Sequence, residues 1–340
     1  MISNIFYELP QKSWWQGRID GDDPSLIRLH QQVQIIEINA LKPTAGVRNV
    51  IFLGFASDEG VRRNQGRPGA ATGPYLLRKA CSNLPVHYSD KLHLLDTGNI
   101  ATINGRLEQA RKYLAQAVSL IIENEGFPIL LGGGHAIVQG HYAGLKAKLP
   151  GKKIGIINFD AHFDLRAPAE QGPNSGTSFY EIAEQCNKDS EPFNYLAIGI
   201  QRSANSKKLF ELAQQTGTKY IAVEQINSQQ ITEAQQQIND FAARVDALYL
   251  SFDLDVFVSA IAPGVSAPSA TGIFYDGNFR RLLKACFDSG KVISMDIAEL
   301  NPAYDLDNRT AKLGAQIIFD SLLALDETFC ATERMSSTNS

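Results

Sequence analysis

Seven short apolar runs alternate with amphipathic stretches along this chain, and this alternation limits the possible folds more than any other feature of the sequence. The apolar runs lie near residues 49–55, 128–131, 154–159, 194–200, 219–223, 247–252 and 291–295. Stretches with helical periodicity lie near residues 70–82, 108–124, 137–148, 205–215, 231–242, 276–288 and 309–325. Runs this apolar are typical of strands covered on both faces, and strands that alternate with helices favour a parallel sheet. The chain is therefore predicted to be an α/β protein, a three-layer α/β/α sandwich with a mainly parallel sheet.

One domain accounts for most of the chain. No stretch rich in proline, glycine or serine divides the 340 residues, and 44% of them are hydrophobic, which is enough to bury a substantial core. This domain is predicted over residues 47–328. Residues 1–46 are predicted to be an irregular extension that wraps the core, with Trp14 and Trp15 packed against it. The polar residues 329–340 are predicted to be a disordered tail.

Charge and cysteine content exclude several classes of protein. The formal net charge is −4 and there is no basic stripe, so nucleic-acid binding is not expected. No apolar run is long enough to span a membrane, and the first residues lack the pattern of a signal peptide. The four cysteines are scattered without C-x-x-C spacing, which is typical of buried residues in a reducing compartment. A cytoplasmic protein is therefore predicted.

Three of the apolar runs are followed by aspartate and histidine, residue types that commonly bind metal ions. The segment 160–164, Asp-Ala-His-Phe-Asp, follows the run IGIINF, and the segment 253–255, Asp-Leu-Asp, follows ALYLSF. In an extended segment, alternate residues point to one face, so the polar members of each segment can converge. The run PILL ends in three glycines and a histidine. Parallel sheets place ligands at the carboxyl ends of their strands, and the predicted metal ligands are His135, Asp160, His162, Asp164, Asp253 and Asp255.

Charge indicates which metal ions fit. Four aspartates within a few Å of each other cannot all stay ionised alone, because like charges raise one another's pKa. Two divalent cations balance them, and a paired site is the usual arrangement for metal-assisted hydrolysis. The ligands include two imidazoles and no thiolate, which favours two Mn²⁺ per chain over structural zinc, while catalytic zinc, iron and cobalt stay open. Taken singly, each motif is also typical of a solvated loop, a helix cap or a tight turn.

The order of the motifs GGGH, DAHFD, SFDLDVF and SMDIAELNP resembles the ureohydrolase superfamily of arginases and agmatinases, over about residues 49–325. The resemblance implies an arginase-like fold and hydrolysis of a C–N bond in a guanidine or amidine at two manganese ions. It implies that one metal is held by His135, Asp160, Asp164 and Asp253. It implies that the other is held by Asp160, His162, Asp253 and Asp255, so that Asp160 and Asp253 bridge. The expected partners are a small-molecule substrate and further copies of the chain.

Two departures from arginases indicate a branch of this superfamily. Gly134 stands where arginases and agmatinases have an aspartate, and Ser175 stands where they have a histidine of the catalytic loop. Formimidoylglutamases resemble the chain at both places and in the segments 15–18, 63–67 and 262–268. This resemblance implies hydrolysis of N-formimino-L-glutamate to L-glutamate and formamide, a step of histidine degradation. Another anionic guanidino or amidino substrate, or a metal-binding regulator without turnover, stays open as an alternative.

Substrate recognition is predicted from charge. N-formimino-L-glutamate carries one amidinium and two carboxylates, and the planar fork of arginine suits carboxylates. Several arginines follow strands, although each alone is also typical of a surface ion pair; they are Arg62, Arg63, Arg67, Arg166 and Arg202. The predicted substrate-binding residues are Arg67, Asn174, Ser175, Thr177, Arg202 and Glu299. The predicted catalytic residues are Asp164, which orients the attacking water and carries its proton, and Glu299, which the resemblance to the ureohydrolases implies holds the amidinium.

Overall fold

A computed structural model describes residue 2 and residues 5–338, with side chains as far as residue 331. In this part of the chain, ten strands form one sheet that ten α-helices accompany. The strands are β1 (Tyr7–Glu8), β2 (Gln34–Ile35), β3 (Arg48–Ala56), β4 (Leu92–Ala101), β5 (Phe127–Gly132), β6 (Ile154–Phe159), β7 (Asn194–Ile200), β8 (Lys219–Ala222), β9 (Ala247–Asp253) and β10 (Val292–Ala298). The helices are α1 (Leu29–Gln32), α2 (Glu59–Arg63), α3 (Gly73–Cys81), α4 (Leu107–Glu123), α5 (Ile137–Lys148), α6 (Ser178–Lys188), α7 (Lys207–Gln215), α8 (Ile231–Ala243), α9 (Gly277–Asp288) and α10 (Arg309–Thr338).

The sheet is parallel except at one edge. Its strands lie in the order β1-β4-β3-β5-β10-β9-β6-β7-β8, and β2 pairs with β4 beside this path. Among the described strands, β1 with β4 is the one antiparallel pair. The mainly parallel sheet predicted from the apolar runs is confirmed.

Helices cover both faces of the sheet, because its strands are apolar on both sides. In β3, Val50 and Phe52 point into one core, while Ile51 and Leu53 point into the other. Helices α3, α8, α9 and α10 contribute to the first core, and α4, α5, α6 and α7 to the second. This arrangement is the predicted three-layer α/β/α sandwich.

The apolar pattern did not predict β4 or α6. From its fifth residue on, β4 contains Asp96, Thr97 and Asn99, residue types that are typical of turns. Asp96 is nevertheless fully buried, because Arg78 of α3 donates hydrogen bonds of 2.5 and 2.9 Å to its two carboxylate oxygens. A buried ion pair therefore replaces the apolar side chains that would have marked this strand in the sequence.

The ends of the chain differ in part from the sequence-based description. Residues 5–46 contribute β1 and β2 to the sheet and otherwise form α1, short 3-10 helices, turns and irregular segments. Trp15 is 2% exposed, packs against Phe52 with ring centroids 5.2 Å apart, and donates a 2.5 Å hydrogen bond to Asp96. Residues 329–338, predicted to be disordered, continue α10, while 339 and 340 lie outside the described residues. Within the described ranges, no helix is long and apolar enough to cross a membrane.

Candidate metal centre

The predicted ligands follow strands that are neighbours in the middle of the sheet. Strands β5, β10, β9 and β6 are adjacent and parallel, so their carboxyl ends lie at one edge. His135 follows β5, Glu299 follows β10 and Asp160 follows β6, while Asp253 is the last residue of β9. The fold thus brings together four segments that are far apart in the sequence.

The glycines before His135 allow the chain to turn close to β3. The amide of Gly133 donates to the carbonyl of Phe55 at 2.9 Å, and the amide of Gly134 donates to the carbonyl of Ser57 at 2.8 Å. A Cβ atom at residue 133 would lie 2.0 Å from the Ser57 carbonyl oxygen. Glycine is required at this position because any side chain would collide with the backbone.

The first group of ligand atoms surrounds His135. The atoms lie within 4.8 Å of one another and belong to His135, Asp160, Asp164 and Asp253. His135 Nδ1 is 2.9 Å from Asp164 Oδ2. It is 3.3 Å from Asp160 Oδ2 and also 3.3 Å from Asp253 Oδ2. This set matches the ligands expected for one of the two metals.

The second group shares Asp160 with the first. It consists of ligand atoms of Asp160, His162 and Asp255, again within 4.8 Å of one another. His162 Nδ1 lies 3.1 Å from Asp255 Oδ2 and 3.4 Å from Asp160 Oδ1. The sequence predicts that Asp253 also joins this group. In the structure Asp253 Oδ1 accepts the amide hydrogen of Asp255 at 2.9 Å, and the bridging role of Asp253 stays a prediction.

The charges of the cluster favour cations. Burial, with Asp255 and Asp160 close by, raises the pKa of Asp253 well above its ordinary value. Burial likewise raises the pKa of Asp164 and of Asp255. Burial acts to lower the pKa of His162, but Asp255 and Asp160 outweigh it and raise the pKa to about 12. Buried carboxylates that converge and mostly have raised pKa values, together with two imidazoles and no thiolate, form a donor set that fits two divalent ions.

Buried amides hold the 160–164 segment in place. Asn158 Nδ2 donates to Asp160 Oδ2 at 3.0 Å. Asn205 accepts the amide hydrogen of Phe163 at 3.0 Å and donates to the carbonyl of Ala161 at 2.8 Å. Asn205 is 6% exposed and stands 42 or more positions from these partners, so no local pattern in the sequence marks it as a support of the site.

A cavity of about 190 Å³ adjoins the ligand cluster. Its lining contains five predicted ligands and the residues Val61, Asn64, Gly66, Arg166, Ser175, Ser266, Ala267 and Glu299. Glu299 Oε1 accepts the backbone amide hydrogen of His135 at 2.6 Å, and burial raises the pKa of Glu299 to about 7. Arg166 is the one arginine among the described residues that line this cavity, and its Nη1 donates to Asn64 Oδ1 at 3.2 Å.

Arg67, one of the two arginines favoured by the sequence analysis, points elsewhere. Its guanidinium donates to the carbonyls of Val265 at 2.6 Å and Ser266 at 3.3 Å. The guanidinium carbon lies 4.0 Å from the ring centroid of Tyr304. Arg67 therefore supports the backbone of a segment that lines the cavity, and it is not itself in the lining.

Three further predicted substrate-binding residues are also absent from the lining. Asn174 accepts the amide hydrogen of Gly176 at 2.9 Å, and the Thr177 hydroxyl donates to Glu181 at 2.7 Å, so both shape the turn into α6. Arg202 is exposed. Ser175 does line the cavity, where its hydroxyl accepts from Asn64 Nδ2 at 3.0 Å.

Two polar residues of the cavity, Arg166 and Asn64, are not among the predicted substrate-binding residues, although Arg166 is one of the arginines noted after strands. A signal for Arg166 was present, because it lies only two positions after Asp164 and must stay near the cluster. Asn64 offered no such signal, since it reaches the cavity only through the path of the loop after α2.

Comparison with known proteins places this geometry in a family. The model of the arginase family matches residues 48–324. This chain belongs to the arginase family. The superfamily expected from the motifs is thus confirmed, and members of the arginase family are binuclear-metal enzymes.

Relatives within the arginase family cover nearly the whole chain. Formimidoylglutamase from Geobacillus thermodenitrificans is 38% identical over 93% of this chain and 97% of its own length. Formimidoylglutamase from Chromobacterium violaceum is 41% identical over 89% and 95%. Arginase from Bacillus subtilis superposes with a TM-score of 0.68 at 27% identity, covering 81% of this chain and 98% of that one. A variant of Trypanosoma cruzi formiminoglutamase with Mn²⁺ superposes with a TM-score of 0.71 at 25% identity, covering 83% and 95%.

Proposed function

We propose that this arginase-family hydrolase cleaves N-formimino-L-glutamate with water to L-glutamate and formamide, and that it uses two Mn²⁺. The cavity carries the proposal, because it joins the ligand cluster to one acidic and one basic side chain, Glu299 and Arg166. A carboxylate matches the amidinium of this substrate and a guanidinium matches its carboxylates. The formimidoylglutamases at 38% and 41% identity support this substrate, and the Mn²⁺ of the T. cruzi structure supports this metal.

The proposed metal ligands are His135, Asp160, His162, Asp164, Asp253 and Asp255. Two bound Mn²⁺ would supply Lewis-acid activation of a water molecule and would balance the carboxylate charge. Asp160 is proposed to contact both ions, because it belongs to both groups of ligand atoms.

Other side chains of the cavity are proposed to bind the amidinium and the carboxylates of the substrate. Glu299 holds the amidinium, and its hydrogen bond from the His135 amide keeps the carboxylate at the edge of the ligand cluster. Arg166 and the Ser175 hydroxyl, which also line the cavity, hold a substrate carboxylate. The planar formimino carbon then faces the cluster, where a water oxygen can attack it.

Asp164 is proposed to transfer a proton from the attacking water to the leaving nitrogen. It accepts a hydrogen bond from the attacking water and takes up a proton as the new C–O bond forms. It then gives that proton to the glutamate nitrogen as the C–N bond breaks. Formamide and the free amine of glutamate are the products.

Product analysis tests the proposed reaction. Mn²⁺-loaded protein should convert N-formimino-L-glutamate to equal amounts of formamide and glutamate, both measured by NMR. The same protein should release little urea from arginine, agmatine or a guanidino acid. Preference for any of these guanidines would overturn the proposed substrate, and absence of turnover on every compound would favour a metal-binding regulator.

Two arginine variants test the proposed carboxylate contact. Arg166→Ala should lower kcat/KM for N-formimino-L-glutamate by roughly 13- to 160-fold, the equivalent of about 1.5–3 kcal/mol for a charge-assisted hydrogen bond. The loss should be small for an amidine without carboxylates. Arg202→Ala is the matched control, because Arg202 is exposed like Arg166 but lies outside the cavity lining. Equal losses of Arg166→Ala on both compounds, or a selective loss in Arg202→Ala instead, would refute the assignment.

A further inference from the structure

A chain of buried polar side chains lies behind His135, on the side away from the carboxylates. His135 Nε2 is 2.9 Å from Ser251 Oγ, and the Ser251 hydroxyl donates to Asp296 Oδ1 at 2.7 Å. All three side chains are buried, with at most 1% of each residue exposed. Ser251 and Asp296 are directly paired positions on the adjacent strands β9 and β10. The contact is therefore fixed by the register of the sheet.

Both carboxylate oxygens of Asp296 have hydrogen-bond partners. His141 Nδ1 lies 2.8 Å from Oδ2, and the Tyr249 hydroxyl donates to the same oxygen. Oδ1 accepts from Ser251. Both oxygens of the carboxylate therefore accept a hydroxyl hydrogen in this arrangement, Oδ1 from Ser251 and Oδ2 from Tyr249.

This arrangement decides which nitrogen of His135 carries hydrogen. A serine hydroxyl has a single hydrogen, and Ser251 donates that hydrogen to Asp296. Ser251 Oγ can then only accept from His135, so Nε2 must be the protonated nitrogen. Nδ1 is then the nitrogen that faces the carboxylate cluster, whose nearest oxygens lie 2.9–3.3 Å away, and the one through which His135 can bind an ion there.

We infer that Ser251 and Asp296 are positioning residues that hold His135 in the one tautomer able to bind a metal ion through Nδ1. The inference rests on the metal site of the proposed function. His162 provides an internal contrast, because in the described part of the chain its Nε2 has no such partner and 20% of its side chain is exposed. The support is thus specific to the ion that His135 binds.

The test is the affinity for each Mn²⁺, measured by competition with a chelator. Ser251→Ala should weaken one of the two dissociation constants by about 10- to 100-fold, the usual effect of removing a partner that orients a metal-binding histidine. The second constant should stay unchanged. Asp296→Asn keeps the volume of the side chain and should act in the same direction. The electron paramagnetic resonance spectrum at limiting Mn²⁺ should change from that of a coupled pair to that of isolated ions.

Ser294→Ala is the matched control. Ser294 is as buried as Ser251 and lies on β10, but its hydroxyl contacts His141 Nε2 and not His135. It should keep both affinities. Thermal unfolding of the metal-free variants confirms that each is folded.

Two results would overturn the inference, namely unchanged affinities in both Ser251→Ala and Asp296→Asn, or an equal loss in Ser294→Ala. Wild-type protein that binds fewer than two Mn²⁺ would instead refute the proposed metal site on which the inference depends.

Discussion

Two residues at the cavity, Asp164 and Glu299, have a backbone conformation that is uncommon outside glycine. Their φ angles are 48° and 68°, in the left-handed region, where a residue with a side chain pays a conformational cost. Neighbouring backbone holds them there, since the amide of Glu299 donates to the Gly133 carbonyl at 2.8 Å and the Asp164 carbonyl accepts from Phe179 at 3.3 Å. Strain of this kind is typical of functional sites, and here it aims both carboxylates at the cavity.

The Glu299 carboxylate should be required for every amidine substrate. In Glu299→Gln the amide oxygen can still accept from His135, which turns an NH₂ group toward the substrate cation. We expect a loss of about 2–3 kcal/mol of transition-state stabilisation, or roughly 30- to 160-fold in kcat/KM. Glu8→Gln is the control, because Glu8 also accepts hydrogen bonds, from Tyr75 and Asn99, but lies outside the cavity lining. Kinetics of Glu299→Gln within twofold of wild type would contradict the assigned role.

At the scale of elements, the strands differ in how far their sequences reveal them. Strands β5, β6 and β9, which precede the ligands, are buried at every position, and their apolar sequences predict them. Strand β4 lies nearer the edge of the sheet and is joined to α3 through the Arg78–Asp96 pair, with both side chains fully buried. Gly98 and Asn99 of β4 also accept from Arg78, at 2.8 and 2.7 Å. An element held by polar contacts with the preceding helix cannot be recognised from apolar periodicity.

Breaking this pair should destabilise the fold strongly. Asp96→Asn leaves the Arg78 charge buried without its counterion, and loss of one partner of a buried pair costs about 3–5 kcal/mol. Urea unfolding followed by circular dichroism measures the change. Lys284→Ala removes an exposed partner of Asp288 and should change the free energy of unfolding little, because solvent screens exposed pairs. Similar unfolding midpoints for the two variants would mean that the buried pair does not stabilise β4.

For the whole molecule, the sequence predicts the residues that meet at the ends of parallel strands. It does not predict which residues the loops bring into the cavity. Apolar runs locate β5, β6, β9 and β10, and parallel packing then requires the residues after them to meet. The arginine that lines the cavity cannot be predicted in this way. Arg67 and Arg166 both follow strands, and only the path of each loop decides which of them enters the cavity. Loop paths depend on long-range contacts such as that of Asn64 with Ser175, which no periodicity encodes.

Metal binding should stabilise the whole fold, because the ligands come from segments between β5 and β10 that only the folded chain brings together. A ligand at 100 times its dissociation constant stabilises the native state by about 2.7 kcal/mol per site. Removal of metal by chelation should therefore lower the thermal unfolding temperature, and Mn²⁺ should restore it better than Mg²⁺, which prefers ligand sets made only of oxygen.

Asp160→Asn should abolish most of the Mn²⁺ effect, because Asp160 belongs to both ligand groups. Asp320→Asn, which alters a carboxylate paired with Arg280 outside the cluster, should retain it. An equal Mn²⁺ shift in both variants, measured by scanning calorimetry, would exclude the cluster as the site of binding.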